Sequence, residues 1–333
     1  MRALRYFSRR QFLQSTASLS LASAAGATGR PLTGWEPCAS SSSAEDVPSS
    51  ASGAPDTARR LTVPVHIDGK GPYRFIVDTG ADRTVVATEV GTELGLARGA
   101  RVVLDGVVQT MVTDTVAIRR LAFGSHASGN FLVPTLSRAL LDADGYLGLD
   151  FLDGHRVTFD FKGGLLQVSE PRPRFSADWT ALNEARVLTF GSSGHLRSLE
   201  CRVDGVPTAA FIDSGAEVSA ANGPLLAALG RRNPSFGEIG DIELIDITGG
   251  QIQGKVAMVK QIRLPGLAFD DCPLVIANFQ VFKAWGLTHS PALLIGMNLL
   301  RQFSRVSVDY GLKELRFDLA ASRGGQPYGN STA

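Results

Sequence analysis

Phe75-Ile76-Val77-Asp78-Thr79-Gly80-Ala81-Asp82 is an apolar run that ends in an aspartate, a hydroxyl residue and a glycine. Residues 210–217 repeat it as Ala210-Phe211-Ile212-Asp213-Ser214-Gly215-Ala216-Glu217, with Asp213 lying 135 residues beyond Asp78. One acid on a tight turn is common, because aspartate bonds to nearby backbone and glycine accepts the turn's dihedrals. Two on matching turns point to a pair, and paired carboxylates that share a proton can activate water for hydrolysis.

The flanks of the two copies also match. Val65-His66-Ile67-Asp68-Gly69 precedes the first, and Cys201-Arg202-Val203-Asp204-Gly205 precedes the second. Asp-Gly between apolar alternations predicts a hairpin, so each aspartate should follow the hairpin's second strand. Downstream, Tyr146-Leu147-Gly148-Leu149-Asp150 corresponds to Leu294-Ile295-Gly296-Met297-Asn298. Closing strands then follow, Arg156-Val157-Thr158-Phe159-Asp160 and Arg305-Val306-Ser307-Val308-Asp309. Four features in one order make this a duplication. Short helices are expected only near 87–94, 224–229 and 279–285. The class is therefore mainly β, in two lobes. Against that repeat, the bland reading of Asp78 and Asp213 as separate loop-capping residues loses ground.

The chain has 333 residues, 44% apolar content and a formal net charge of +1. That is enough sequence for two lobes with their own cores. A near-neutral balance argues against nucleic acid as a partner, since phosphate binding needs a basic face. No metal site is expected: there is no CxxC, and the five histidines are not at ligand spacing. His66, His126, His155, His195 and His289 show no evident partners. Phe282 and Trp285 read as a core helix face. Isolated thiols are the plainer reading of the three cysteines, while a bridge between Cys201 and Cys272 stays open.

Ser8-Arg9-Arg10-Gln11-Phe12-Leu13 and the mildly apolar, small-residue stretch after it resemble a twin-arginine export signal over residues 1–27. A basic amphipathic helix of a cytoplasmic protein is the alternative. That stretch is too short and too rich in Ser, Ala and Gly to span a membrane stably, so the mature form is expected to carry no span. Residues 28–60 are crowded with serine and read as a flexible linker. The remaining divisions are a first lobe at 61–170, an interlobe segment at 171–198, a second lobe at 199–320 and a tail at 321–333. The expected location is periplasmic or secreted.

These residues resemble the aspartic proteases of the pepsin and retropepsin kind, and most closely the retropepsin-like aspartyl proteases of bacteria. Asp78-Thr79-Gly80-Ala81 with Leu147-Gly148, and Asp213-Ser214-Gly215-Ala216 with Ile295-Gly296, carry the resemblance. It implies two related β-barrel lobes with the active site between them. The apolar-Gly segment would cross beneath each Asp loop, and the loops would meet at a pseudo-two-fold axis. One chain would supply both halves, as a monomer. A larger dimer, with Asp78 and Asp213 in separate sites, is a different arrangement of the same units.

The resemblance implies an endopeptidase acting on a polypeptide without cofactor or metal, with Asp78 and Asp213 as its catalytic pair. Thr79, Gly80, Ser214 and Gly215 would support the loops, the two hydroxyls bonding across to the opposite loop. Ala81, Asp82, Ala216 and Glu217 match substrate-binding positions. Gly249 and Gly250, like Asp105-Gly106, sit at hairpin tips that fit either ordinary turns or substrate-covering flaps. Two departures stand out. Retroviral enzymes often carry Arg where this chain has Leu149 and Met297, so Asp82 and Glu217 need other partners. Pepsin carries a hydroxyl where this chain has Ala81 and Ala216, which implies work at less acidic pH. A non-catalytic periplasmic peptide-binding or regulatory protein of the same fold is the alternative to an enzyme.

Overall fold

The computed structural model describes residues 61–170 and 197–318, and the backbone of the short strands Leu19–Leu21, Ser49–Ser52, Ala54–Pro55 and Glu184–Leu188. Most of the expected export signal and the whole tail at 321–333 lie outside these residues. The chain forms two closed six-stranded β-barrels.

Each barrel begins with the predicted hairpin. Leu61–Ile67 pairs with Lys70–Val77, and Arg197–Val203 pairs with Val206–Ile212. The turn residues Asp68 and Gly69 have φ of 50° and 80°, and Asp204 and Gly205 have 45° and 79°. Two successive positive φ values match the right-handed twist of a tight hairpin, which is why Asp-Gly serves at both places. The second strand of each hairpin runs directly into its Asp turn.

The apolar-Gly segments lie where the resemblance puts them. Gly145–Leu147 runs parallel to Lys70–Val77 and antiparallel to Val85–Ala87, so it fills the gap between the strands on either side of the Asp78 turn. Ala292–Ile295 does the same between Val206–Ile212 and Ala220–Ala221. Both strands are buried at every residue, which is why they read as unbroken apolar runs. The first barrel closes through His126–Leu136 and Thr115–Phe123, which returns to the first strand. The second closes through Leu267–Ile276 and Gln251–Leu264.

A six-stranded sheet joins the lobes. At its centre Arg156–Asp160 pairs antiparallel with Arg305–Asp309, so each copy of the closing strand lies against the other. Leu165–Ser169 and Glu314–Asp318 flank them. The outer strands are Ser49–Ser52 and Glu184–Leu188, in equivalent places. Part of the serine-rich stretch expected as a tether therefore supplies a strand, because an open sheet edge recruits backbone whatever its side chains. One apolar core runs from Leu61 to Phe317 through this sheet. Each fully buried Val, Leu, Ile or Phe in it contributes about 1.5–3 kcal/mol.

The helices are Thr88–Glu93, Gly223–Arg232 and Gln280–Ala284, close to expectation, with one-turn helices at Arg138–Leu141, Leu149–Leu152 and Met297–Leu300. No helix among the described residues is long and apolar enough to cross a membrane. Cys201 and Cys272 are buried free thiols, so the bridge left open above is absent. Burial pushes both thiols up to about 12.

Candidate active site

Asp78 and Asp213 are fully buried and come together at the seam between the lobes. The backbone N–H of each hangs from its apolar-Gly strand: Asp78 donates to Leu147 O and Asp213 to Ile295 O, both at 3.0 Å. Each carboxylate is aimed by its own turn. Gly80 N–H donates to Asp78 Oδ1 at 2.9 Å, and Gly215 and Ala216 N–H donate to Asp213 Oδ1 at 2.8 and 3.1 Å. Backbone donors favour the ionised form of a carboxylate.

The two loops touch. A Cβ placed on Gly80 would stand 2.7 Å from Cγ of Asp213, so only glycine lets the first loop approach the second carboxylate this closely. The hydroxyl pair locks that approach. Ser214 Oγ donates to Val77 O at 2.7 Å and accepts from Thr79 N–H at 3.1 Å. Thr79 Oγ1 donates to Ile212 O at 3.2 Å and accepts from Ser214 N–H at 3.0 Å. Every bond in one direction has its counterpart in the other. The two aspartates are thus brought together within one chain.

Beneath each loop the apolar-Gly element is a close-packed support. A Cβ on Gly148 would meet Arg83 O at 2.6 Å, and one on Gly296 would meet Val218 O at 2.7 Å. Leu149 N–H donates to Ala81 O and Met297 N–H to Ala216 O, each at 2.8 Å. The acids beyond them are half-buried, and their carbonyls are held in the same way. Asp150 N–H donates to Asp82 O at 3.2 Å, and Asn298 N–H to Glu217 O at 3.1 Å.

A second matched cluster was not anticipated. Thr84 Oγ1 and N–H both donate to Asp150 Oδ1 at 2.7 Å, and Thr84 Oγ1 accepts from Gly148 N–H at 3.1 Å. In the other lobe Ser219 Oγ and N–H donate to Asn298 Oδ1 at 2.7 and 2.9 Å, and Ser219 Oγ accepts from Gly296 N–H at 3.0 Å. The signal was present in the repeat: a hydroxyl six residues after each aspartate and an Asp or Asn two after each glycine. Burial raises the pKa of Asp150 from its ordinary value, although the Thr84 bonds oppose it.

Tyr310 is also buried close to the pair. Burial, then the charges of Asp78, Asp153 and Asp213, holds its phenol well above the ordinary value. His126 and His155, read from sequence as partnerless, face each other with ring centroids 4.2 Å apart. Burial and the neighbouring His155 push His126 down to about 4.

The hairpins at 102–113 and 238–264 place Gly106 and Gly249-Gly250 at their tips. Val107, on the first tip, is buried in an apolar cluster with Ala216, Leu244, Val281 and Phe282 of the second lobe. Trp285 packs on that cluster and stacks on Phe211 at 4.1 Å. The helix face read as core therefore also receives a hairpin from the opposite lobe.

A family model described as aspartyl protease matches residues 63–151 and 199–299, one match in each lobe. Together these matches cover more than half of the chain, and the chain belongs to that family, the retropepsin-like aspartyl proteases, as an internally duplicated single chain. No curated protein matches it.

Proposed function

We propose that this chain is an exported, monomeric aspartic endopeptidase that cleaves an extended polypeptide lying between its two lobes. The observation that carries the reading is the contact of Gly80 with the Asp213 carboxylate, locked by the Thr79–Ser214 bonds. It holds two acids, one from each lobe, in a single buried site. Two carboxylates so close cannot both ionise cheaply, and they share a proton. The ionised partner takes a proton from a water held between them as that water attacks the scissile carbonyl. The protonated partner donates to the carbonyl oxygen. The resulting diol collapses with a proton delivered to the leaving nitrogen. Because the pair titrates as a unit, base and acid are roles of the pair and not of a named member. The chemistry calls for no metal or cofactor. Export, to the periplasm or out of the cell, is supported by the Arg9-Arg10 segment and its likeness to a twin-arginine signal.

The test is to incubate purified residues 33–333 with an unfolded protein from acidic to neutral pH, beside Asp78→Asn and Asp213→Asn. The wild type should cut, a statine-type inhibitor should block it, and each substitution should abolish cutting. Cleavage that survives either substitution would sink the shared-dyad mechanism. Folded protein that binds peptide and never cuts it would instead be a binding module on this fold.

A further inference from the structure

The two hairpin tips are tied to each other by one carboxylate. Asp246 ends the first strand of the second-lobe hairpin and is buried. Its Oδ1 accepts from Thr248 N–H at 3.0 Å, Thr248 Oγ1 at 2.5 Å and Gly250 N–H at 2.9 Å, which shapes its own turn. Its Oδ2 leaves that turn and accepts from Val108 N–H of the first-lobe hairpin at 2.8 Å. Gln109 Nε2 adds a bond to Thr248 O at 3.1 Å.

The tie is one-sided. Asp105 ends the corresponding strand of the first hairpin, but it accepts from Thr110 Oγ1 within the same hairpin. Sterics fit the tie closely. A Cβ on Gly106 would collide with Asp246 Oδ2, and one on Gly250 would stand 2.7 Å from Gln109 Cγ. Beside the tie, Val107 is sunk into the cluster that includes Ala216 of the Asp213 loop, and Val107 O accepts from Val281 N–H at 3.3 Å. The tied tips thus lie beside the Asp213 loop, and Asp78 and Asp213 are themselves shut off from solvent.

We infer that Asp246 is a latch that holds the two hairpins closed over Asp78 and Asp213, so that the resting cleft is shut and opens when the Oδ2–Val108 bond breaks. Its role as a gate for peptide rests on the proposed protease function, but the latch itself does not. Asp246 is a positioning residue: it acts on the cleft through the other hairpin.

Two substitutions break the tie by different routes. Asp246→Asn keeps one oxygen for the bonds within its own turn and sets an N–H₂ against Val108 N–H, two donors face to face. Gly106→Ala leaves Asp246 intact and drives the tips apart by collision. Neither readout needs turnover. Hydrogen exchange at Val108 reports the latch. The rate at which a small epoxide esterifies Asp78 or Asp213, followed by mass spectrometry, reports access to the site. Both should rise about tenfold in both variants, the factor given by losing one hydrogen bond of ordinary strength. Thr248 and Gly250 amides should keep their protection in Asp246→Asn. Unchanged Val108 exchange in both variants overturns the latch. Faster exchange with unchanged esterification overturns its control of access. Either result stands whether or not the chain cuts peptides.

Discussion

Arg156 reaches across the seam between the lobes and donates to Oδ2 of Asp309 twice, through Nε at 3.1 Å and Nη2 at 2.7 Å. Both side chains are buried, and Asp309 Oδ1 accepts from Leu312 N–H. The same strands make the reciprocal pair, Arg305 with Asp160 at 3.2 Å, at the surface. Removing one partner of a buried pair leaves a charge stranded. Arg156→Ala should therefore cost about 3–5 kcal/mol, whereas Arg305→Ala should cost less than about 1 kcal/mol. Denaturant midpoints of the two variants measure the difference, and equal losses would show that burial does not set it.

Gly80 has no room for a side chain. Gly80→Ala would push a carbon against the Asp213 carboxylate in a loop that the Thr79–Ser214 bonds prevent from retreating. Displacing a reacting group by about 1 Å costs on the order of a hundredfold in rate, and that loss is the expected result in the protease assay. Gly230 is the control. It lies in the helix Gly223–Arg232 with nothing near its missing Cβ, and Gly230→Ala should add about 0.5–1 kcal/mol of stability without touching turnover.

The crossed hydroxyl bonds predict strong coupling between Thr79 and Ser214. Thr79→Val removes the acceptor for Ser214 N–H and the donor to Ile212 O. Ser214→Ala removes the mirror pair. Each should destabilise by about 1–3 kcal/mol. The double variant should lose less than the sum, because the groups act as one unit. A thermal-unfolding double-mutant cycle tests this, and strict additivity would contradict it.

Asp150 sits where the other lobe has Asn298, and its hydrogen bonds use only acceptor oxygen. Burial raises its pKa in the folded protein. An acid with a raised folded pKa costs nothing below its unfolded value, about 4. It becomes a burden as pH climbs above that value, because the unfolded chain ionises more readily. Asp150→Asn should therefore raise the melting temperature at neutral pH, and the gain should vanish near pH 3. A gain that is the same at both pH values would mean that charge burial is not the cause.

The Asp turns, their hairpins and the apolar-Gly strands were legible because each is local: a turn dipeptide, an alternation, a short apolar run. The pairing of Asp78 with Asp213 was legible only through the repeat. What the sequence hid is contact across long separations between polar side chains. Thr84 with Asp150 needed the two copies aligned column by column. Asp246 with Val108 has no counterpart in the first lobe, so no comparison of repeats could reveal it. Ser49–Ser52 was read as tether because its composition buries nothing. It becomes a strand through backbone bonds to Leu165–Val168, which composition does not encode.

The closing strands carry one more consequence. Thr158 faces Ser307 at the centre of their pairing, with an arginine at one end of each strand opposite an aspartate of the other. Such an edge is self-complementary: a single unit of this kind already holds both halves of its own dimer contact. Joining two units in one polypeptide removes the need for the halves to stay identical. This chain has used that freedom, with one ion pair drawn inside and one left in water, an aspartate under one loop and an asparagine under the other, and a carboxylate tie reaching from one hairpin only. Division of labour between formerly interchangeable halves is what the fusion makes available.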